Sequence, residues 1–90
     1  MRSISRTARF KRDYKSLTRS VPGLDAMLAE TIGRLAKGET LPSRYKDHPL
    51  VGDWKGFRDC HLRPDLVLIY SVSETELTLV RLGSHSDLFG

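Results

Sequence analysis

The chain has 90 residues, of which 39% are hydrophobic and 29% charged, and its formal net charge is +4. This length predicts one domain spanning residues 1–90, and the composition excludes a disordered chain. The sequence contains no apolar run that would span a membrane, nothing resembling a signal peptide, and one cysteine, Cys60, which excludes an internal disulfide. We therefore expect a cytoplasmic protein with no membrane contact, in which Cys60 is a core residue.

Positive charge is concentrated at the start of the chain. Residues 1–20 contain seven Lys and Arg against one acid, Asp13, which gives this segment a net charge of +6, whereas the rest sums to −2. Such a segment is typical of a protein that binds a polyanion or an acidic protein partner. A solvated helix face has the same composition, and the charge pattern leaves these alternatives open.

The first elements are a weak strand and a helix. Residues 2–5 predict a short strand, and Thr7 or Ser5 is placed to cap the helix that follows. This helix is predicted from apolar residues that recur at helical spacing: Phe10, Tyr14 and Leu17. We interpret its aromatics as core residues and its other faces as basic.

A second helix follows the break at Pro22-Gly23. Apolar residues form one stripe from Leu24 to Ala36, and Gly38 is a natural stop. The two segments predict a helical hairpin.

The second half of the chain changes to strand patterns. Residues 42–53 are predicted as an ordered loop, followed by strands at roughly 54–63, 66–72 and 76–82. The continuous apolar run 67–70 indicates a central strand buried on both faces. The predicted fold class is α+β, with a short N-terminal strand, a helical hairpin and a three-stranded antiparallel meander. The helices must cover one face of this twisted sheet, and we expect the other face to be free for a site.

The residues that suit catalysis lie in this second half. His48 falls in the loop, His61 late in the first long strand and His85 just after the last strand. Asp65 follows His61 by four residues, and Arg81 precedes His85 by four. Antiparallel pairing would bring these groups together.

This set suits the cleavage of RNA. The ribose 2′-oxygen attacks the adjacent phosphorus once a base removes its proton, and an acid protonates the leaving oxygen. Histidine suits both roles because its unperturbed pKa is near 6.5. Arginine suits stabilisation of the phosphoryl charge, and an aromatic such as Phe89 suits stacking on an unpaired base. Each residue also has an ordinary structural interpretation, and a zinc site of three histidines lacks the usual ligand spacing.

The second half also resembles the YafQ-like toxins of the RelE/ParE superfamily. The resemblance covers residues 41–90 and rests on "KDHPL", "GDWKGFRD", the His-x-x-Pro-Asp of His61 to Asp65, and "GSHSDLFG", which occur in the family's order and spacing. The first forty residues agree only in their pattern of a strand and a helical hairpin.

The resemblance implies a RelE-like fold and the toxin of a type II toxin–antitoxin pair. Such a toxin is a ribosome-dependent endoribonuclease (an mRNA interferase) that enters the ribosomal A site and cuts mRNA there, with the 2′-OH as nucleophile. It needs no cofactor or metal, and its partners are the cognate antitoxin, ribosomal RNA and the mRNA substrate. The implied catalytic residues are His48, His61, Asp65, Arg81 and His85. The implied RNA-binding residues are Phe89, Arg9, Lys11, Arg12, Lys15 and Lys55.

Within this resemblance, His85 is expected to be the acid for the leaving oxygen. His48 and His61 would share base and orienting work with Asp65, and Arg81 would stabilise the phosphoryl charge. Leu66 stands where some relatives have an aromatic, which puts stacking at that position in doubt. Two alternatives remain at this point: a non-enzymatic toxin of the same superfamily that inhibits DNA gyrase, and a plain RNA-binding module.

Overall fold

The computed structural model describes residues 1–90. The chain forms a five-stranded mixed sheet with two helices on one face. The strands are β1 (Ser3–Arg6), β2 (His48–Pro49), β3 (Arg58–Arg63), β4 (Leu66–Val72) and β5 (Glu76–Gly83). The helices are α1 (Ala8–Leu17), α2 (Leu24–Ala36) and α3 (His85–Phe89), and 3₁₀ turns lie at Ser43–Tyr45 and Gly52–Trp54. The predicted α+β class is therefore confirmed, with α3 and β2 as additions.

The strand order in space is β1-β5-β4-β3-β2, so β4 occupies the centre. The three long strands pair antiparallel, and β1 adds to the edge of β5 in parallel. Residues 67–70 of β4 are at most 1% exposed, as the continuous apolar run predicts. Strand β3 begins later than residue 54, because residues 52–54 form a 3₁₀ turn instead of pairing.

The helical hairpin has the boundaries that its caps and glycines dictate. The Thr7 hydroxyl accepts from the Phe10 amide at 3.0 Å and starts α1. Gly23 adopts a φ of +75° directly before α2, a conformation that residues with a side chain rarely adopt. The apolar stripes of both helices then pack on the sheet over a cluster of 14 buried residues that includes Phe10, Leu28, Cys60 and Leu68.

The opposite face of the sheet is not free, which corrects the expectation from the sequence. A second, smaller cluster covers it, formed by Val67, Ile69 and Leu88 with flanking aromatics of the 50–57 loop. The cover comes from α3 and from the 50–57 loop, and neither segment shows a long apolar periodicity in the sequence. None of the helices combines the length and apolar character that crossing a membrane requires.

Candidate active site

Histidines from three separate elements meet beside strand β3. The ring centroids of His61, on β3, and His85, at the start of α3, lie 5.1 Å apart. His48, on β2, pairs in register with Asp59, two residues before His61 on β3. Successive strand residues point to opposite faces, so Asp59 and His61 share the face opposite Cys60, which belongs to the helix-side core.

His85 is held by a carboxylate from the β3–β4 turn. Its Nδ1 lies 2.9 Å from Oδ1 of Asp65, and its backbone amide donates to the same oxygen at 3.1 Å. Hydrogen bonds from the His85 side chain and backbone lower the pKa of Asp65, so this carboxyl is ionised at neutral pH. An ionised carboxylate only accepts hydrogen bonds, so Nδ1 of His85 carries the proton and Nε2 remains without a hydrogen-bond partner.

His48 is oriented in a similar way. Its Nδ1 lies 2.7 Å from the carbonyl oxygen of Lys46 and 3.1 Å from Oδ1 of Asp59. A carbonyl only accepts, so Nδ1 carries the proton here too, and Nε2 is the free nitrogen. The side chain of His48 is about half exposed, which leaves Nε2 accessible to a substrate.

The loop before His48 is anchored to the sheet by its neighbour Asp47. The Tyr70 hydroxyl donates to Asp47 Oδ1 at 2.5 Å, and Arg58 Nε donates to the same atom at 3.3 Å. Burial and the hydrogen bond to Asp47 raise the pKa of Tyr70, so its hydroxyl keeps the proton it donates. The two contacts fix the position from which His48 projects.

Asp59 is a site residue that the sequence analysis missed. It is only 3% exposed, and its Oδ1 has no hydrogen-bond partner because the His48 N–H is directed at Lys46. Burial raises the pKa of Asp59, and the rings of His48, His61 and His85 oppose that rise when they are protonated. Asp59 lies two residues before His61 on the same strand, and this spacing is the signal in the sequence that would have identified Asp59.

His61 lies between these groups. Burial is the main cause that lowers its pKa, so the ring is neutral at pH 7, and the Asp59 carboxylate partly opposes the shift. Its Nε2 is buried without a hydrogen-bond partner. The register of β3 shifts immediately after it, between His61 and Arg63, and such bulges redirect side chains beside active sites.

An aromatic row continues from the histidines. The Phe89 ring lies 6.2 Å from the His85 ring and 6.3 Å from the Trp54 ring, centroid to centroid. Phe89 is 42% exposed despite its apolar ring, so part of the side chain is accessible to a ligand. Trp54 was not predicted as part of the site, and its contact with Phe89 arises only because the 50–57 loop folds back over the sheet.

Arg81 is held by an ion pair with Asp13. Its Nε and one terminal nitrogen donate to the two carboxylate oxygens of Asp13 on α1, at 2.8 and 3.2 Å, and the Leu82 amide donates to the same carboxylate. The hydrogen bond to Asp13 is the main cause that raises the pKa of Arg81. The pair locks α1 to β5, and only the remaining N–H groups of Arg81 are free of this contact.

The other predicted RNA-binding residues are all exposed, but they lie on different parts of the surface. Lys55 belongs to the loop that carries Trp54. The four remaining residues lie on α1, in the helical layer on the other face of the sheet: Arg9, Lys11, Arg12 and Lys15. No group of three or more His, Cys, Asp or Glu side chains has the placement that would hold a metal ion.

The sheet order, the helical hairpin and the exposed cluster of histidines define a RelE-like toxin fold. The family described as "Bacterial toxin of type II toxin-antitoxin system, YafQ" matches residues 2–90, so the chain belongs to the YafQ family.

Three relatives illustrate the similarity. The mRNA interferase toxin YafQ of Escherichia coli strain K12 is 54% identical over 50 residues, which cover 56% of this chain and 54% of that protein. The match thus spans about half of that relative's length. The Haemophilus influenzae protein called putative toxin YafQ is 39% identical over 89 residues, 92% of this chain and 87% of that one. A chain in a crystal structure of the Escherichia coli DinJ-YafQ complex superposes with a TM-score of 0.90 at 36% identity, over 100% of both chains.

Proposed function

We propose that this protein is an endoribonuclease that cleaves mRNA during translation on the ribosome. One observation supports this activity above all: His48 and His85 each have Nδ1 engaged by an acceptor and Nε2 free. Cleavage by attack of the 2′-OH requires one group that removes a proton and another that donates one, and two rings with a free nitrogen can supply both. The relative named mRNA interferase supports the same activity and the choice of substrate.

In the proposed reaction, the free Nε2 of His48 accepts the proton of the ribose 2′-OH. The 2′-oxygen then attacks the phosphorus, the bond to the 5′-oxygen breaks, and a 2′,3′-cyclic phosphate forms. His85, protonated at Nε2, donates that proton to the leaving 5′-oxygen. Asp65 stabilises the doubly protonated ring before the transfer, because it accepts from Nδ1. Because Nε2 of neutral His61 is buried, we propose that this ring orients the phosphate through Nδ1.

The aromatic row holds the RNA in register. Phe89 would stack on a base next to the cleavage site, with Trp54 packed edge-on behind it. Leu66 is buried in the helix-side core at 5% exposed, so this position offers no stacking surface. Arg81 is proposed to act on the phosphoryl oxygens only through the N–H groups that Asp13 leaves free.

The partners follow from charge and from the relatives. We propose that the basic face of α1 contacts ribosomal RNA phosphates in the A site, through Arg9, Lys11, Arg12 and Lys15. We infer a cytoplasmic location from this role. A relative forms the DinJ-YafQ complex, and we infer that an antitoxin likewise binds this chain. Lys55, beside Trp54, is proposed to contact the mRNA backbone.

A purified translation system tests the proposal. The intact protein is expected to cut a translated message and to leave the same RNA uncut without ribosomes. His85→Ala is expected to lower the cleavage rate by about 10²–10⁴-fold, whereas Ser86→Ala, an exposed neighbour on the same helix, is expected to leave it unchanged. If the folded intact protein cuts nothing, the endoribonuclease proposal fails, and inhibition of DNA gyrase becomes the activity to measure.

A further inference from the structure

A groove with a basic rim adjoins the histidine cluster (His48, His61 and His85) at His61. Its cavity volume is about 460 Å³, and its walls come from α2, the 3₁₀ turn at Ser43–Tyr45 and the end of β3. His61 forms part of its lining, so the groove and the histidine cluster are continuous. The aromatic row of Phe89 and Trp54 is linked to His61 through His85, whereas no residue of that row lines the groove.

Three cations line this groove, and none of them is neutralised. Arg44, Lys46 and Arg63 are exposed, and none forms an ion pair with a carboxylate. The only acid in the lining, Glu30, is already shared between Arg34 at 3.7 Å and the Tyr45 hydroxyl at 3.2 Å. Unpaired cations grouped around a cavity give it a positive potential that attracts an anion.

Two of these cations are held in place by the fold. The guanidinium of Arg44 lies 5.0 Å from the centroid of the Tyr45 ring, which restricts its orientation. One terminal nitrogen of Arg63 donates to the Pro22 carbonyl at 2.7 Å, and the other N–H groups stay available. Ordering these side chains in advance reduces the entropy that a ligand would otherwise have to overcome.

Lys46 links the groove to His48 and His61. Its carbonyl oxygen is the acceptor that fixes His48 Nδ1, and its charge lies close enough to His61 to contribute to the lowered pKa of that ring. Its backbone adopts a left-handed conformation with a φ of 49°, which is uncommon for a residue with a side chain. An anion held by Lys46 would therefore lie within reach of the proposed cleavage site.

We propose that this groove binds the backbone phosphates of the single-stranded mRNA that flanks the scissile bond. The strand would run from the base stacked on Phe89, past His85 and His61, and into the groove, so that the RNA is held on both sides of the cut. The inference rests on the proposed endoribonuclease activity. It assigns Arg44, Lys46 and Arg63 to substrate binding, a role that stacking on Phe89 alone does not supply.

The test uses binding without cleavage. The probe is a ten-nucleotide RNA with a 2′-O-methyl group at every position, so no 2′-hydroxyl is available to attack, and affinity is measured by fluorescence anisotropy across a salt series. Arg44→Gln and Lys46→Gln are each expected to weaken binding about threefold to tenfold. Each is also expected to reduce the slope of log affinity against log salt by about 0.7, the value for one phosphate contact on a single strand. Lys37→Gln, an exposed lysine outside the groove, is the matched control and is expected to change neither value.

Several results would overturn the groove assignment. One is unchanged affinity and salt slope in both variants, with melting temperatures equal to that of the intact protein; another is no measurable binding by the intact protein. A third is loss of affinity for the co-expressed antitoxin alone, which would make the groove a protein-docking surface. Because the probe is not cut and ribosomes are absent, failure here is distinguishable from failure of the endoribonuclease proposal, which the translation assay measures separately.

Discussion

At the scale of single residues, the site depends on which nitrogen of each histidine is committed. Asp65 accepts from Nδ1 of His85, and the Lys46 carbonyl accepts from Nδ1 of His48. An imidazole without such a partner exchanges between tautomers and rotates, so only part of its population presents Nε2 to a substrate. The acceptors thus give both rings a defined tautomer, which suits the proton transfers proposed for them.

Asp65→Ala tests this orientation. The variant removes the acceptor from both the ring and the backbone amide of His85, and we expect mRNA cleavage on ribosomes to fall by about 10²-fold. Folding should change little because both side chains are exposed. The matched control is Glu74→Ala, which removes an exposed acid from the β4–β5 turn. Cleavage by Asp65→Ala at the rate of the intact protein would show that Asp65 does not orient His85.

Asp59→Asn separates stability from activity. Burial raises the pKa of Asp59 above 3.8, so the folded protein retains this proton at pH values where the unfolded chain has released it. Stability contributed by the protonated form is therefore lost as pH rises above 3.8. The neutral Asn avoids this loss, and its melting temperature at pH 7 should equal or exceed that of the intact protein.

The same variant should cut mRNA about tenfold more slowly, below the loss expected for a catalytic acid or base. The reason is that it lacks the negative charge beside His48 and His61. Melting curves from pH 3 to 8 and cleavage rates on the same samples provide the measurement. A variant that melts lower than the intact protein and cuts at the normal rate would make Asp59 a structural residue only.

At this scale, the sequence allowed candidate residues to be predicted by their type, but not their surroundings. Histidine, carboxylate and arginine are recognisable by type, so His48, His61, Asp65 and His85 were predicted, and the structure brings them together. The partner of Arg81 was not predictable, because Asp13 lies 68 positions away on a helix whose orientation the sheet determines. Asp59 was overlooked because burial, which makes it unusual, is not visible in the sequence.

At the scale of elements, α3 is the part that tertiary contacts must stabilise. It has five residues, too few to be a stable helix in isolation. Ser84 caps it by accepting from the Asp87 amide at 3.2 Å, and Leu88 buries its side chain against Val67 and Ile69. Because His85 and Phe89 lie on this helix, the second apolar cluster positions two proposed functional residues.

Leu88→Ala should therefore affect both stability and activity. Deleting a buried leucine costs about 2–5 kcal/mol, which corresponds to a drop in melting temperature of roughly 10 °C or more in a chain of this size. Cleavage should fall even at temperatures where the sheet remains folded, because α3 loses its anchor. Calorimetry and cleavage at 20 °C provide the measurement, with Ser86→Ala as the control on the same helix. Full activity in a folded Leu88→Ala protein would contradict this role of the cluster.

The ion pair between Asp13 and Arg81 joins the helical layer to the sheet. Both side chains are about 15% exposed, and Asp13 also accepts from the Leu82 amide. Asp13→Asn should lower the free energy of unfolding by about 1.5–3 kcal/mol, the range for hydrogen bonds to charged groups. Urea denaturation measures this value. If Arg81 also stabilises the phosphoryl charge, Arg81→Lys will lower the cleavage rate of folded protein, whereas Asp13→Asn will not.

The element boundaries show where sequence patterns suffice. Strand β4 and helix α2 were predicted almost to the residue, because a continuous apolar run and a capped apolar stripe are strong local signals. The region 43–57 was not, since two 3₁₀ turns and a two-residue strand leave no periodicity. Helix α3 was missed because its stability comes from Leu88 packing on distant strands and not from its own sequence.

At the scale of the whole molecule, the basic residues of α1 and the histidine cluster lie in different layers of the fold. The histidine cluster lies on the face of the sheet opposite the helical hairpin, whereas the basic residues of α1 belong to that hairpin. Residues 1–20 carry a net charge of +6 within a chain of +4. This separation fits the proposed function, in which the basic side would hold ribosomal RNA while the other side would act on the mRNA.

Neutralising α1 tests that division. In Lys11→Gln/Arg12→Gln/Lys15→Gln, three exposed cations are lost while Phe10 and Tyr14 keep their packing on the sheet, so the melting temperature should hold. Ribosome binding should weaken by at least tenfold near 0.1 M salt and depend less steeply on salt, because fewer phosphates are contacted. The cleavage rate at saturating toxin should stay near normal, since no residue of the histidine cluster is touched. Sedimentation with ribosomes and cleavage over a range of toxin concentrations separate the two effects. A fall in the saturated rate with unchanged binding would place α1 at the mRNA instead of the ribosomal RNA.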